Sequence, residues 1–274
     1  MVRLTLTPSV AERRAYNGAL ACLHLALALA CGFVPAVPDI PLGTPVPVWG
    51  DDECDPGPLC TVVGPPVLLA SLGVRALAFF FFAATALAHA VYSSRAEEYA
   101  RLVQERRMWW RWAEYAVTVP PMLLIIAALN GLTLDAPLLQ TATLGSAAQL
   151  FGLAAEEAAA RGDVGSALRR HALGYPVVAA ALLPVAVSLG ELPGSGAPSF
   201  VPLIIATQGI FFISFGAVQT YTLARLRADL DTGAAQLTYA RADTVYLFLS
   251  LACKATLGAS LVLAASQLDD AGTA

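Results

Sequence analysis

The sequence predicts an all-α membrane protein, a bundle of seven transmembrane helices occupying the chain, 1–274, as one domain. Three observations predict it. Hydrophobic residues make up 57% of the chain, charged residues 13%, and mean hydropathy is +0.66, an apolar excess that a water-soluble domain could not bury. Apolar windows of the roughly 20 residues that cross a hydrocarbon core about 30 Å thick as helix recur along the chain. Basic residues fall in every second loop, the signature of one chain passing repeatedly through a bilayer.

The windows cover about 16–36, 66–93, 109–131, 136–158, 172–190, 198–224 and 243–267, separated by Pro, Gly and charge. The first span also has a signal peptide's make-up, a basic start before LHLALALACG with a loose lipobox at Cys31, but His24 inside the apolar run argues for a retained helix. Between spans one and two lies the one sizeable polar insert, about 37–64, which begins VPDIPLGTPVPVWGDDECDPGPLC, a short segment open to a β-hairpin. Cys54 and Cys60 flank its Pro-Gly turn; a disulfide and two free thiols both remain open there. Cys22, Cys31 and Cys253 lie in spans as small packing residues.

Orientation follows from the arginines. Arg3, Arg13 and Arg14 precede span one; Arg95, Arg101, Arg106 and Arg107 follow span two; Arg161, Arg169 and Arg170 follow span four; Arg225, Arg227 and Arg241 follow span six. The opposite loops hold acids, among them Asp39, Asp135 and Glu191, and no basic residue. The amino terminus is therefore expected in the cytoplasm and the carboxy terminus outside. Arg75, near the outer end of span two, is the exception and can snorkel.

Span seven, YLFLSLACKATLGASLVLAAS, contains Lys254, the only lysine in the chain against fifteen arginines. A charged lysine at a helix centre costs roughly 2.5 to 3.5 kcal/mol on insertion scales, so it persists mainly where it works. Unlike a guanidinium, its amine can lose a proton and condense with an aldehyde as a Schiff base. Seven spans with a lone lysine mid-way along the last suggest a covalently held retinal. A cationic imine in hydrocarbon needs a counterion. Glu114, the only acid in the apolar part of RRMWWRWAEYAVTVPPMLL, supplies it, with Thr118 one turn on. Arg111, three residues earlier on the same face, is expected to keep that carboxylate ionised, and Ser250, one turn before Lys254, to bond either partner.

These residues resemble the heliorhodopsins, retinal proteins inserted upside down relative to the ordinary microbial rhodopsins. RWAEY, which includes Tyr115, and SLACK carry the resemblance, with an inside amino terminus and a long first outside loop. The resemblance implies a rhodopsin-like bundle, all-trans retinal on Lys254, Glu114 as counterion with Ser250 beside it, and a cytoplasmic polar cavity at His24, His89 and Arg111 that takes up the proton. It implies pocket residues at Gln149 in QLFG and at Phe212 and Gln219. It also implies a homodimer and a slow photocycle. The tryptophans depart from the expected retinal walls: none lies in spans four to seven, so Phe211, Phe212, Phe215 and Tyr246 are expected to replace them, while Trp109, Trp110 and Trp112 read as an interfacial belt.

A light sensor signalling to an unknown cytoplasmic partner is the expected function. In pumping relatives a second carboxyl lies eleven residues beyond the counterion, here Ile125, and an acid lies four before the lysine, here Ser250. The competing expectation is a light-gated or passive proton conductor using Glu191 on one side and Glu156 or Glu157 on the other. HExxH, GxSxG, phosphate loops and a basic aromatic patch are missing, which disfavours an enzyme or a nucleic-acid binder. The charged stretches SSRAEEYARLVQERR and RLRADLDTGAAQLTYARAD read either as partner-facing or as ordinary solvated loops.

Overall fold

A computed structural model describes residues 7–33, 40–44, 47–49, 61–63, 67–190, 200–229 and 234–272. In order these form α1 (Val10–Phe33), β1 (Ile40–Thr44), β2 (Pro47–Trp49), β3 (Thr61–Val63), β4 (Val67–Leu72), α2 (Val74–Ser94), α3 (Ala96–Gln104), α4 (Trp109–Leu129), α5 (Asp135–Ala160), α6 (Val164–Gly190), α7 (Phe200–Asp229) and α8 (Ala235–Gly272). Helices α1, α2, α4, α6, α7 and α8 are long and apolar enough to cross a membrane. The seventh long helix, α5, is less apolar because Gln140, Thr141, Thr143, Ser146 and Gln149 interrupt it.

Neighbours in the chain pack as neighbours in space, α1 on α2, α4 on α5, α5 on α6, α6 on α7 and α7 on α8, and contacts of α1 with α8 and of α2 with α4 close the bundle. Helix α4 is the most enclosed and carries much of the core, including Val119, Met122, Leu123, Ile125 and Ile126. Large apolar side chains such as Leu25, Leu87, Leu139, Leu183, Leu203 and Ile213 point outward. That pattern is costly in water and suits a hydrocarbon surround, where backbone groups must find partners inside the helices.

Helix boundaries correct the reading from hydrophobicity in four places, one of them the start of α6 at Val164, eight residues before the expected 172. The segment 67–72, expected to open span two, is strand β4, and α2 begins after Gly73, whose extended backbone separates the two. An apolar run of this kind suits a strand as well as a helix. β4 pairs antiparallel with β1 from Ile40↔Leu72 to Thr44↔Val67, and β2 pairs antiparallel with β3. Gly43 N donates to Thr133 O at 3.0 Å and Thr44 Oγ1 to Asp135 Oδ2 at 2.5 Å, tying β1 to the start of α5. Second, α1 starts at Val10 because Ser9 and Glu12 cap it reciprocally, Ser9 N donating to Glu12 Oε2 at 2.8 Å and Glu12 N to Ser9 Oγ at 3.3 Å. Third, much of the two charged stretches is helix rather than loop: α3 buries Tyr99, Leu102 and Val103, and α8 starts eight residues before the expected 243. Cys54, Cys60 and Glu191 lie outside the described residues.

Tight turns join α4 to α5 and α5 to α6. Gly131 (φ 82) and Gly162 (φ 83) adopt the left-handed backbone that ends each helix, and Leu132 N and Asp163 N reach back to the carbonyls of Ala127 and Ala158 at 3.0 Å. Asp163 then caps α6, accepting from Ser166 N at 2.9 Å. Hydrogen bonds from Ser166 hold its carboxyl below the usual carboxylate range.

The polar residues of α5 have a physical reason. Pro120 in α4 and Pro184 in α6 lack the N–H that would satisfy the carbonyls four residues earlier, Ala116 and Ala180. Ser146 Oγ donates to Ala116 O at 2.9 Å and Gln140 Nε2 to Ala180 O at 2.9 Å. The helix between two proline-containing neighbours thus supplies the donors that prolines remove. Replacing Ser146 or Gln140 by Ala is expected to destabilise the fold by about 1 kcal/mol each, between the average interhelical hydrogen bond in membranes and the loss from an orphaned buried carbonyl. Equilibrium unfolding in mixed detergent micelles measures this, and an unchanged midpoint for both variants would contradict the repair role.

Candidate functional site

Polar residues in the long helices recur at helical spacing on inward faces. In α1 the buried face runs Arg13, Asn17, Leu20, His24; in α2 it includes Phe82, Thr85, His89 and Tyr92; in α4 it includes Arg111, Glu114, Thr118 and Met122. In α8 it runs Asp243, Tyr246, Ser250, Lys254, Leu257. Intervals of three and four place each set on one side of its helix.

Where α8 meets α4, Lys254 Nζ forms an ion pair with Glu114 Oε1. The pair is almost wholly buried, with Lys254 4% and Glu114 9% exposed. Tyr92 from α2 donates to Glu114 Oε2 at 3.0 Å, and Thr118 Oγ1 donates to the backbone oxygen of Glu114 at 2.9 Å. The ammonium also lies 5.6 Å from the Tyr115 ring centroid and 5.8 Å from that of Phe81. Two opposite charges taken out of water hold only when the remaining lone pairs find donors, and Tyr92 is such a donor.

A cavity of about 400 Å³ lies between α4, α5, α6, α7 and α8, with Lys254 in its wall. Its wall includes Tyr115, Thr118, Gln149, Phe212, Phe215, Gln219, Tyr246 and Ser250. The sequence leaves these scattered over four helices, α4, α5, α7 and α8. Tyr246 donates to Gln219 Oε1 at 2.6 Å, and its ring stacks on Phe215 at 6.0 Å between centroids. Ser250 Oγ faces the cavity without closing a hydrogen bond to either Lys254 or Glu114. Such a volume, mostly apolar with an amine in its wall, suits an apolar aldehyde.

Two expectations need correction. Trp112 and Trp110 are buried, and only Trp109 of the cluster is half exposed. Trp112 walls the cavity, and its ring fits only because position 152 is glycine: a Cβ there would stand 2.1 Å from Trp112 Cζ3. Trp110 stacks on Tyr92 at 5.6 Å, and its carbonyl, 2.9 Å from the Tyr92 hydroxyl, shares that single proton with Glu114 Oε2. Arg111 does not pair with Glu114. Its guanidinium reaches Glu156 Oε2 at 2.5 Å and Asp243 Oδ1 at 3.2 Å, and lies 4.2 Å over the Tyr246 ring. A guanidinium has five donors, and two carboxylates from other helices satisfy more of them than one on its own helix.

His24 and His89 come together, stacked at 5.3 Å between centroids and 8° between planes. His24 Nδ1 lies 2.8 Å from Leu20 O and His89 Nδ1 2.8 Å from Asn17 Oδ1. Tyr92, against His89 at 5.5 Å, joins this pair to Glu114. Arg111 belongs to a separate group one layer away.

Sequence reasoning missed that group, along with Tyr92 and Asn17. Arg13 pairs with Asp243 Oδ2 at 2.9 Å, Tyr99 donates to the same oxygen at 3.0 Å, and Trp112 Nε1 donates to Glu156 Oε2 at 3.1 Å. Two arginines and two carboxylates, all buried, balance each other across α1, α4, α5 and α8. The only sequence signal was that Arg13 and Asp243 fall on the buried faces of their extended helices. Asp243→Asn leaves one arginine charge uncompensated and is expected to destabilise the fold by about 3–5 kcal/mol. Glu105→Gln, which removes an exposed pair with Arg101, is expected to change stability by less than about 0.5 kcal/mol. Unfolding midpoints of the two variants, compared side by side, check the contrast; equal effects would refute it.

No curated protein matches the chain. The model of one family, Heliorhodopsin, matches residues 13–265, a stretch that includes His24, Glu114 and Lys254 and spans all of α2 to α7. An integral membrane protein of this composition, matched over nearly its whole length, belongs to the heliorhodopsin family and is a retinal-binding rhodopsin.

Proposed function

We propose that the chain is a light sensor in which all-trans retinal is joined to Lys254 as an imine, with Glu114 as its only counterion. The observation that carries this reading is that the sole lysine, paired with Glu114, lines an apolar cavity. When bound, retinal supplies visible absorption and a light-driven change of shape next to Nζ. Glu114 holds the proton on Nζ by its charge, and Tyr92 keeps that carboxylate oriented. Trp112, Tyr115, Phe212 and Phe215 exclude water from the cavity. The stacked imidazoles of His24 and His89 are the base that receives the Nζ proton in the light, and Tyr92 lies between them and Glu114.

Signalling is favoured over transport by what surrounds this base. The Arg13, Arg111, Asp243 and Glu156 cluster commits its carboxylates to arginines, which leaves Glu156 poorly suited to passing protons. Ile125 stands fully buried in the core of α4, where a proton carrier would be needed. The arginine-rich ends, including α3 and the start of α8, are proposed to face the cytoplasm and a signalling partner, and the chain to pair as a homodimer. A photocurrent under voltage clamp that Glu114→Gln or Glu191→Gln abolishes would instead establish a conductor.

The spectrum tests the site. Lys254→Ala is expected to be colourless when supplied with retinal. Glu114→Gln, which removes the negative charge stabilising the ground-state cation, is expected to absorb to the red and to lose its colour on alkaline titration at lower pH than the parent. A Gln variant with the parent's colour and titration would rule Glu114 out as counterion.

A further inference from the structure

Both histidines beside the site have their tautomers dictated by what their Nδ1 atoms touch. Leu20 O, 2.8 Å from His24 Nδ1, is a carbonyl and can only accept, so His24 carries its proton on Nδ1. His89 Nδ1 meets Asn17 Oδ1 at 2.8 Å, and here the amide could in principle face either way. Its other end decides: Asn17 Nδ2 lies 2.9 Å from Arg13 O, which also only accepts, so the nitrogen must be the donor there and Oδ1 the acceptor from His89. Asn17 is 1% exposed, so water does not compete for the amide.

We infer that Asn17 is a positioning residue that fixes His89 as the Nδ1–H tautomer and keeps its Nε2 lone pair free to accept a proton. Leu20 O does the same for His24, whose Nε2 has no hydrogen-bond partner. The two rings therefore present bare Nε2 atoms from a stacked pair. Centroids 5.3 Å apart disfavour two imidazolium charges, so the pair takes up one proton rather than two. Arg13, whose carbonyl orients the Asn17 amide, also pairs with Asp243, which links the tautomer to the buried charge cluster.

This inference rests on the proposed transfer of the Nζ proton to the histidine pair, but its first test does not require light. The chain has three histidines, His24, His89 and His171, so nitrogen NMR of protein labelled on histidine is assignable by single substitutions. In the dark, His89 is expected to show a protonated Nδ1 and a bare Nε2. Asn17→Leu should turn the His89 signals into a mixture of tautomers while leaving those of His24 unchanged. It should also slow light-driven deprotonation of the pigment about three- to tenfold, the kinetic equivalent of one buried hydrogen bond. Should the Leu variant fail to fold, Asn17→Asp keeps an acceptor-only oxygen and is expected to retain the proton on Nδ1. A bare Nδ1 on His89 in the unsubstituted protein, or an unaltered His89 spectrum in Asn17→Leu, overturns the inference. A correct dark tautomer with the photoproduct proton found away from both imidazoles would leave the Asn17 contact standing and refute the histidine base of the proposed function instead.

Discussion

An ammonium and a carboxylate facing each other in an apolar interior, Lys254 against Glu114, is the constraint to which the rest of the bundle answers. Neither charge is tolerable alone at that depth, so α4 and α8 must meet at one rotation and one height. Tyr92 extends the constraint to α2, and through the stacked His89 and His24 it reaches α1. Four helices are thereby registered by polar contacts, while α5, α6 and α7 supply most of the apolar cavity wall.

A second charged layer, Arg13, Arg111, Asp243 and Glu156, is built on a different principle. The Lys254 and Glu114 pair is a single contact supported by neutral donors. The arginine layer is a chain, Arg13 to Asp243 to Arg111 to Glu156, in which Asp243 and Arg111 each bridge two partners. Networks of this kind add less to stability than their Coulomb energies suggest, because desolvation opposes them, but they penalise any arrangement that separates the partners. The layer therefore specifies which helix ends meet. Asn17 lies between the two layers, bonded to His89 on one side and to the carbonyl of Arg13 on the other.

Much of the bundle is legible in the sequence because a bilayer imposes one length on every apolar helix. The exceptions are instructive. Val67–Leu72 is as apolar as a helix start, and only its pairing with β1, set by distant residues, makes it a strand. Helix α3 is too short and charged to stand out from a loop, although Tyr99, Leu102 and Val103 mark one face. Lys254 and Glu114 are legible as partners because each is the lone charge in the apolar part of its span. Arg111 misleads for the opposite reason: Glu114 is three residues away in sequence, whereas Glu156 and Asp243, its actual partners, are 45 and 132 residues away. Tyr92 and Asn17 are neutral, and near a span's end such residues look interfacial until the packing is known.

The most direct measurement is to map the attachment. Protein incubated with all-trans retinal, reduced with borohydride under illumination, digested and analysed by mass spectrometry is predicted to carry one retinyl group on the peptide containing Lys254. A reduced protein whose Lys254 peptide has its unmodified mass, with the polyene recovered free or on the amino terminus, would contradict the account at its centre.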